Sequence, residues 1–60
     1  MFVITNLATG HYWGTHDNKP TFTGLHAEAR VFHDYGQAVR EKDRLVREQG
    51  VSAAVVPHRN

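Results

Sequence analysis

The sequence predicts a small α+β fold, an antiparallel β-sheet of three to four strands in ββ(β)αβ order with one amphipathic helix packed on one face. Three observations predict it. Residues 34–49 repeat their apolar side chains at helical period, short β-rich runs stand before and after that segment, and 60 residues leave room for one core only. Surface scaling for a chain of 6.8 kDa gives roughly 3,900 Å² exposed when folded against roughly 9,900 Å² unfolded, so only about 60 % is buried. A single domain over residues 1–60 follows, and a nucleotide-binding sheet, a kinase lobe or a barrel is excluded.

Met1 to Asn6 begins with the β-rich run Phe2-Val3-Ile4-Thr5 and forms a first strand near 1–6. Asn6-Leu7-Ala8-Thr9-Gly10 has turn formers at both ends, with Gly10 expected at the positive-φ position that closes the loop. A second strand near 11–14 carries His11, Tyr12 and Trp13. Gly14 to Pro20 is polar and reads as the most mobile loop, after which Thr21-Phe22-Thr23 continues in extended form. Leu25 to Ala29 suits a single helical turn, and Arg30-Val31-Phe32 reads as a short strand near 29–33.

From residue 34 to 49 the stripe Tyr35, Ala38, Val39, Lys42, Leu45, Val46 and Gln49 follows i, i+3, i+4, i+7 spacing, with Lys42 its one charge. His33 or Asp34 caps its start and Gly50 occupies the C′ position. Val51 to Val56 is a strand of small and β-branched residues ended by Pro57, and residues 57–60 form a tail.

Leu, Ile, Val and Phe number 14 of 60, and the net charge is +1, so the chain folds rather than staying disordered. With no cysteine, neither disulfides nor thiolate zinc ligation supply stability, and a cytoplasmic location is expected. The apolar run at the N-terminus breaks after four residues and lacks a basic leader, so neither a signal peptide nor a membrane span is expected. The pI of about 8.3 selects neither an acidic nucleic-acid mimic nor a strongly basic binder.

Five histidines stand at positions 11, 16, 26, 33 and 58. His11, His16 and Asp17 are close in sequence, but their spacing matches no usual zinc pattern, so no metal and no cofactor are assigned. Thr15-His16-Asp17 adjoin as polar residues of a turn, and catalysis would need a dry cleft that so small a core cannot line; no catalytic residue is assigned.

Two groups suit partner binding. Tyr12 and Trp13 point to opposite faces of their strand, so one ring faces the helix and the other faces away, leaving open which is exposed. An outward ring is either shielded by the Thr15–Thr23 loop or anchors a partner, together with Phe22, His16 and Asp17. On the helix, Arg40, Arg44 and Arg47 share the face opposite the apolar stripe, spaced to meet phosphates or carboxylates. The pairs Asp43–Arg47 and Arg44–Glu48 equally suit a solvated helix face.

The Met1-Phe2-Val3-Ile4 strand, the Asn6 to Gly10 turn into Tyr12-Trp13, the Ala29-Arg30-Val31-Phe32 segment and Gln37-Ala38 near the helix start together resemble the short β-β-(β)-α-β proteins of bacteriophage and prophage genomes. Some of these are stoichiometric inhibitors of host machinery, anti-CRISPR proteins among them. The resemblance implies a non-enzymatic interaction protein of phage or mobile-element origin that binds a host protein or ribonucleoprotein complex, such as a CRISPR–Cas effector, and blocks it sterically. It carries over no functional residue. Many such inhibitors are acidic, and this chain is not, which favours steric or arginine-mediated contact over DNA mimicry. The alternative is a nucleic-acid-binding module in which Arg30, Arg40, Arg44 and Arg47 touch backbone while an exposed aromatic stacks on a base. No membrane partner is expected. An unpaired terminal strand could join two copies in a homodimer.

Overall fold

The structure, a computed structural model, describes residues 1–58. Strands β1 (Phe2–Asn6), β2 (Tyr12–His16) and β3 (Lys19–Thr23) precede a short 3-10 turn (His26–Glu28), helix α1 (Tyr35–Gln49) and strand β4 (Ala53–Pro57). All pairings are antiparallel, and the sheet order is β3-β2-β1-β4. The molecule is an α+β domain with a four-stranded sheet and one helix.

The first hairpin turns at Asn6, whose side-chain Oδ1 accepts the N–H groups of Ala8 at 2.9 Å and Thr9 at 3.3 Å. Gly10 adopts φ 77° and donates to Asn6 O, closing the loop. Asn6 is thereby satisfied although buried.

The expected loop over Gly14–Pro20 is instead the tip of a second hairpin. His16 pairs with Lys19 across a two-residue turn in which Asp17 (φ 52°) and Asn18 (φ 63°) both take left-handed backbone. That is the type I′ geometry that matches strand twist, and Asp and Asn tolerate it better than other non-glycine residues. The third strand is therefore Lys19–Thr23, not the segment at 29–33. Ala29 and Phe32 make one bridge each, Ala29 to Gly14 and Phe32 to Phe2. β1 and β2 are paired at Thr5 and Tyr12 and diverge beyond them, so residues 29–32 enter the opening as a wedge between the two strands. Phe2 and Phe32 exchange two backbone hydrogen bonds of 2.8 Å, and Arg30 N donates to Trp13 O at 2.9 Å.

Helix α1 starts at Asp34, whose side chain accepts Gly36 N–H at 2.7 Å, and stops at Gly50 in the left-handed conformation. It buries Ala38 and Leu45 against Ile4, Trp13 and Phe32, with Phe2, Phe22, Val51, Ala53 and Val55 around them. Tyr35, at one end of the expected stripe, is exposed and meets only the edge of the Phe2 ring, at 5.1 Å between centroids.

The sheet is covered on its second face as well. Val3 points there yet is only 2 % exposed, because the segment after β3 folds back over this side. A row of rings crosses it: Tyr12 meets His26 edge-on at 5.1 Å, and His26 stacks on His58 at 4.8 Å. Of the expected tail at 57–60, Pro57 belongs to β4 and His58 N donates to Met1 O, while Arg59 and Asn60 lie outside the described residues.

Candidate interaction surface

Helical geometry of about 100° per residue divides α1 into an inner stripe, two flanks and an outer face. Gln37, Glu41, Arg44 and Glu48 form the flank turned toward β2. Its position is fixed by Trp13, whose indole Nε1–H donates to Glu41 Oε2 at 3.1 Å. Glu41 also accepts two bonds from Arg44, at 2.8 Å from Nε and 2.7 Å from Nη2. Arg44 reaches one turn on to Glu48 at 3.1 Å.

These contacts act on both charges. The Arg44 guanidinium, and after it the Trp13 indole and the nearby Arg30 charge, hold the Glu41 carboxyl below its ordinary value. The Arg44 guanidinium is shifted upward in return.

Arg40 and Arg47 lie on the outer face, exposed, and among the described residues neither takes part in an ion pair. Asp43, the expected partner of Arg47, instead bonds Lys42 at 2.7 Å. Beside the outer face the wedge brings Arg30, its guanidinium carbon 5.0 Å from the centre of the Phe32 ring. An open groove runs along the helix here, walled by Arg30, Phe32, Gln37, Arg40 and Arg44. Arg30, Arg40 and Arg47, none of them in an ion pair among the described residues, line this one groove.

The other predicted contact residues do not join this surface. Trp13 is the ring that faces the helix and is only 5 % exposed, so it is a core residue and cannot be the surface anchor. Phe22 packs edge-on against it at 5.2 Å. Tyr12 is the ring on the opposite face, where His26 half-covers it.

His16 and Asp17 stand at the tip of the second hairpin, in a polar cluster that the sequence did not disclose. Its centre is Glu28, which accepts from Thr23 Oγ1 at 2.6 Å and from His16 Nδ1 at 3.0 Å. The Thr23 hydroxyl, followed by His16, lowers the Glu28 carboxyl from its ordinary value. His16 Nε2 stands 3.4 Å from Asp17 Oδ2. The carboxylate thus sits between imidazole and hydroxyl. The hydroxyl–imidazole–carboxylate relay has the imidazole in the middle, and this cluster has the carboxylate there, so that relay is not formed.

Among the described residues no group of three or more His, Asp or Glu side chains has the geometry to hold a metal ion, and no helix is long and apolar enough to cross a membrane. No family model, curated protein or solved structure matches the chain.

Glu41 and Glu28 are the two residues that reasoning from sequence passed over. A signal for Glu41 existed, since it stands three residues before Arg44 and on the edge of the apolar stripe. Glu28 had none, because its partners are 5 and 12 residues away and meet it only through the fold-back over the sheet.

Proposed function

We propose that the protein is a non-enzymatic binding module of phage or mobile-element origin that acts in the host cytoplasm. It occupies an acidic surface of a host protein or ribonucleoprotein complex, a CRISPR–Cas effector being the leading candidate, and blocks it by occlusion. The observation that carries this reading is the outer face of α1, where exposed Arg40 and Arg47 stand without ion-pair partners among the described residues, beside the groove of Arg30 and Phe32. Guanidinium groups held this way offer bidentate donors to carboxylates at little desolvation cost. Arg44 has a supporting role, because Glu41 and Glu48 already occupy its donors.

The nucleic-acid alternative needs an aromatic ring beside the arginines for base stacking. Phe32 is buried under Arg30, and the exposed Tyr35 stands on the far flank of the helix. A protein surface suits the arginine face better.

The experiment is co-purification from a susceptible host. A stoichiometric protein partner is expected, and the Arg40→Glu/Arg47→Glu double variant is expected to lose it while His16→Ala retains it. A partner that survives the charge reversal would overturn the assignment of this face. Recovery of nucleic acid with steep salt dependence and no protein partner would replace the reading with the nucleic-acid one.

A further inference from the structure

The two edges of the sheet differ in kind. β3 presents Lys19 and Pro20, a charge and a residue without a donor, which are devices that discourage strand addition. β4 presents Ala53-Ala54-Val55-Val56 with no charge and no bulge, its one residue without a donor, Pro57, standing at the strand's end, and it pairs with β1 along its full length.

Hydrogen-bond parity tells which backbone groups are free. Leu7 N–H donates to Ser52 O and His58 N–H to Met1 O. Alternation in an antiparallel ladder then turns the N–H and C=O groups of Ala54 and Val56 toward β1, and those of Ala53 and Val55 outward. Phe2 agrees with this parity, since its N–H points away from β4 to Phe32. Pro57 falls in the outward set, where its missing N–H removes nothing from the β1 ladder.

The helix overhangs this edge with its second flank. Glu41 fixes one flank toward β2, so the flank about 180° around the inner stripe, carrying Tyr35, Val39, Lys42 and Val46, lies on the β4 side. Tyr35 and Val46 are two of the large apolar residues left exposed in the molecule. Lys42 is the flank's one charge and is neutralised by Asp43.

We propose that this side is a homodimer interface, in which β4 pairs antiparallel with β4 of a second copy and the Val39–Val46 flanks of the two helices meet above the join. A twofold axis through Ala54 places Ala53 opposite Val55 of the copy, so the outward donors and acceptors of each satisfy those of the other, and the small Ala54 side chains meet at the close, non-bonded pair. With no net charge on the flank, a copy meets no repulsion.

Five strand residues give an edge of about 17 Å, and with the 20 Å shortest extent of the molecule the contacting side has a flat footprint of roughly 340 Å². That is well under the roughly 800 Å² per partner of standard interfaces. The dimer is therefore a weak one that forms with rising concentration. Lys42 and Val46 also line the arginine groove, so the two surfaces adjoin, while Arg40 and Arg47 stand on the outer face of the helix, outside the join.

Sedimentation velocity from about 10 μM to about 1 mM tests the proposal. The mass is expected to rise from 6.8 kDa toward twice that value. Val46→Lys places a like charge at the helix contact, and Ala53→Pro removes an outward donor. Both are expected to stay monomeric throughout with unchanged circular dichroism, and amide exchange at Ala53 and Val55 is expected to slow with concentration in the unaltered protein. If Ala53→Pro fails to fold, Val46→Lys alone decides. A protein monomeric at 1 mM, a dimer that survives Val46→Lys, or one broken instead by a β3 substitution at Lys19 would overturn it.

Discussion

The indole N–H of Trp13 donates to the carboxylate of Glu41, 28 residues away, and this one bond ties the second strand to the helix at the margin of the core. Glu41 passes the connection on to Arg44, so a buried aromatic orients a surface guanidinium. Trp13→Phe keeps most of the apolar contact and removes only the donor. A loss of about 1.5–3 kcal/mol is expected by chemical denaturation, typical for a hydrogen bond to a charged group. Combined with Glu41→Gln the losses are expected to be less than additive, because both changes break the same contact.

Gly14 is the position least able to accept a side chain. A Cβ there would collide with the carbonyl of Glu28, backbone that cannot swing aside. Gly14→Ala is expected to cost about 3 kcal/mol or more, as overpacking against main chain. A 60-residue chain holds only about 3–9 kcal/mol in all, so thermal melting should show a protein near or past its limit at 37 °C.

The turn at Asp17-Asn18 uses left-handed backbone without glycine. Asn18→Gly relieves the Cβ at that conformation and is expected to stabilise the hairpin by about 0.5–1 kcal/mol. The reading is a raised melting temperature with no change in the circular dichroism spectrum.

Acid should weaken the fold through two carboxylates. Thr23 and His16 lower Glu28, and Arg44 lowers Glu41, both from an ordinary value of 4.5. The unfolded chain therefore takes up these protons at higher pH than the folded one. Their stabilisation is present above pH 4.5 and is lost as pH falls below it. Melting temperature measured against pH should drop in that window, and the Glu28→Gln/Glu41→Gln variant should lose part of the slope.

Most of the architecture was legible because it rests on local signals. The helix followed from apolar period, with Asp34 and Gly50 at its ends, and β1 and β4 from β-branched runs. Thr21-Phe22-Thr23 reads as extended, but the first half of β3 escaped because its strand character is tertiary. Lys19 and Pro20 resemble loop chemistry, and only pairing with Tyr12–His16 makes them extended. The opposite error arose at 29–33, where the short apolar run Val31-Phe32 belongs to a segment with room for one bridge at each end.

Spacing put Arg40, Arg44 and Arg47 on one face, but only Arg40 and Arg47 lie on the outer one, and spacing did not tell which guanidinium is free. That depends on Asp43 choosing Lys42 over Arg47 and on Glu41 joining Glu48 on Arg44. Trp13 could not be assigned to a face until the helix was placed.

The wedge at residues 29–32 divides the sheet into two leaves, β2 with β3 and β1 with β4, sewn together at Thr5 and Tyr12 and propped apart at the other end. The angle between the leaves is set by the thickness of a single inserted chain. Arg30 rides on the prop, whereas Arg40 and Arg47 ride on the helix that spans both leaves. A change of bulk at Ala29 or Val31 would thus act as a spacer, resetting the distance between the groove's two rims without touching any residue that lines it.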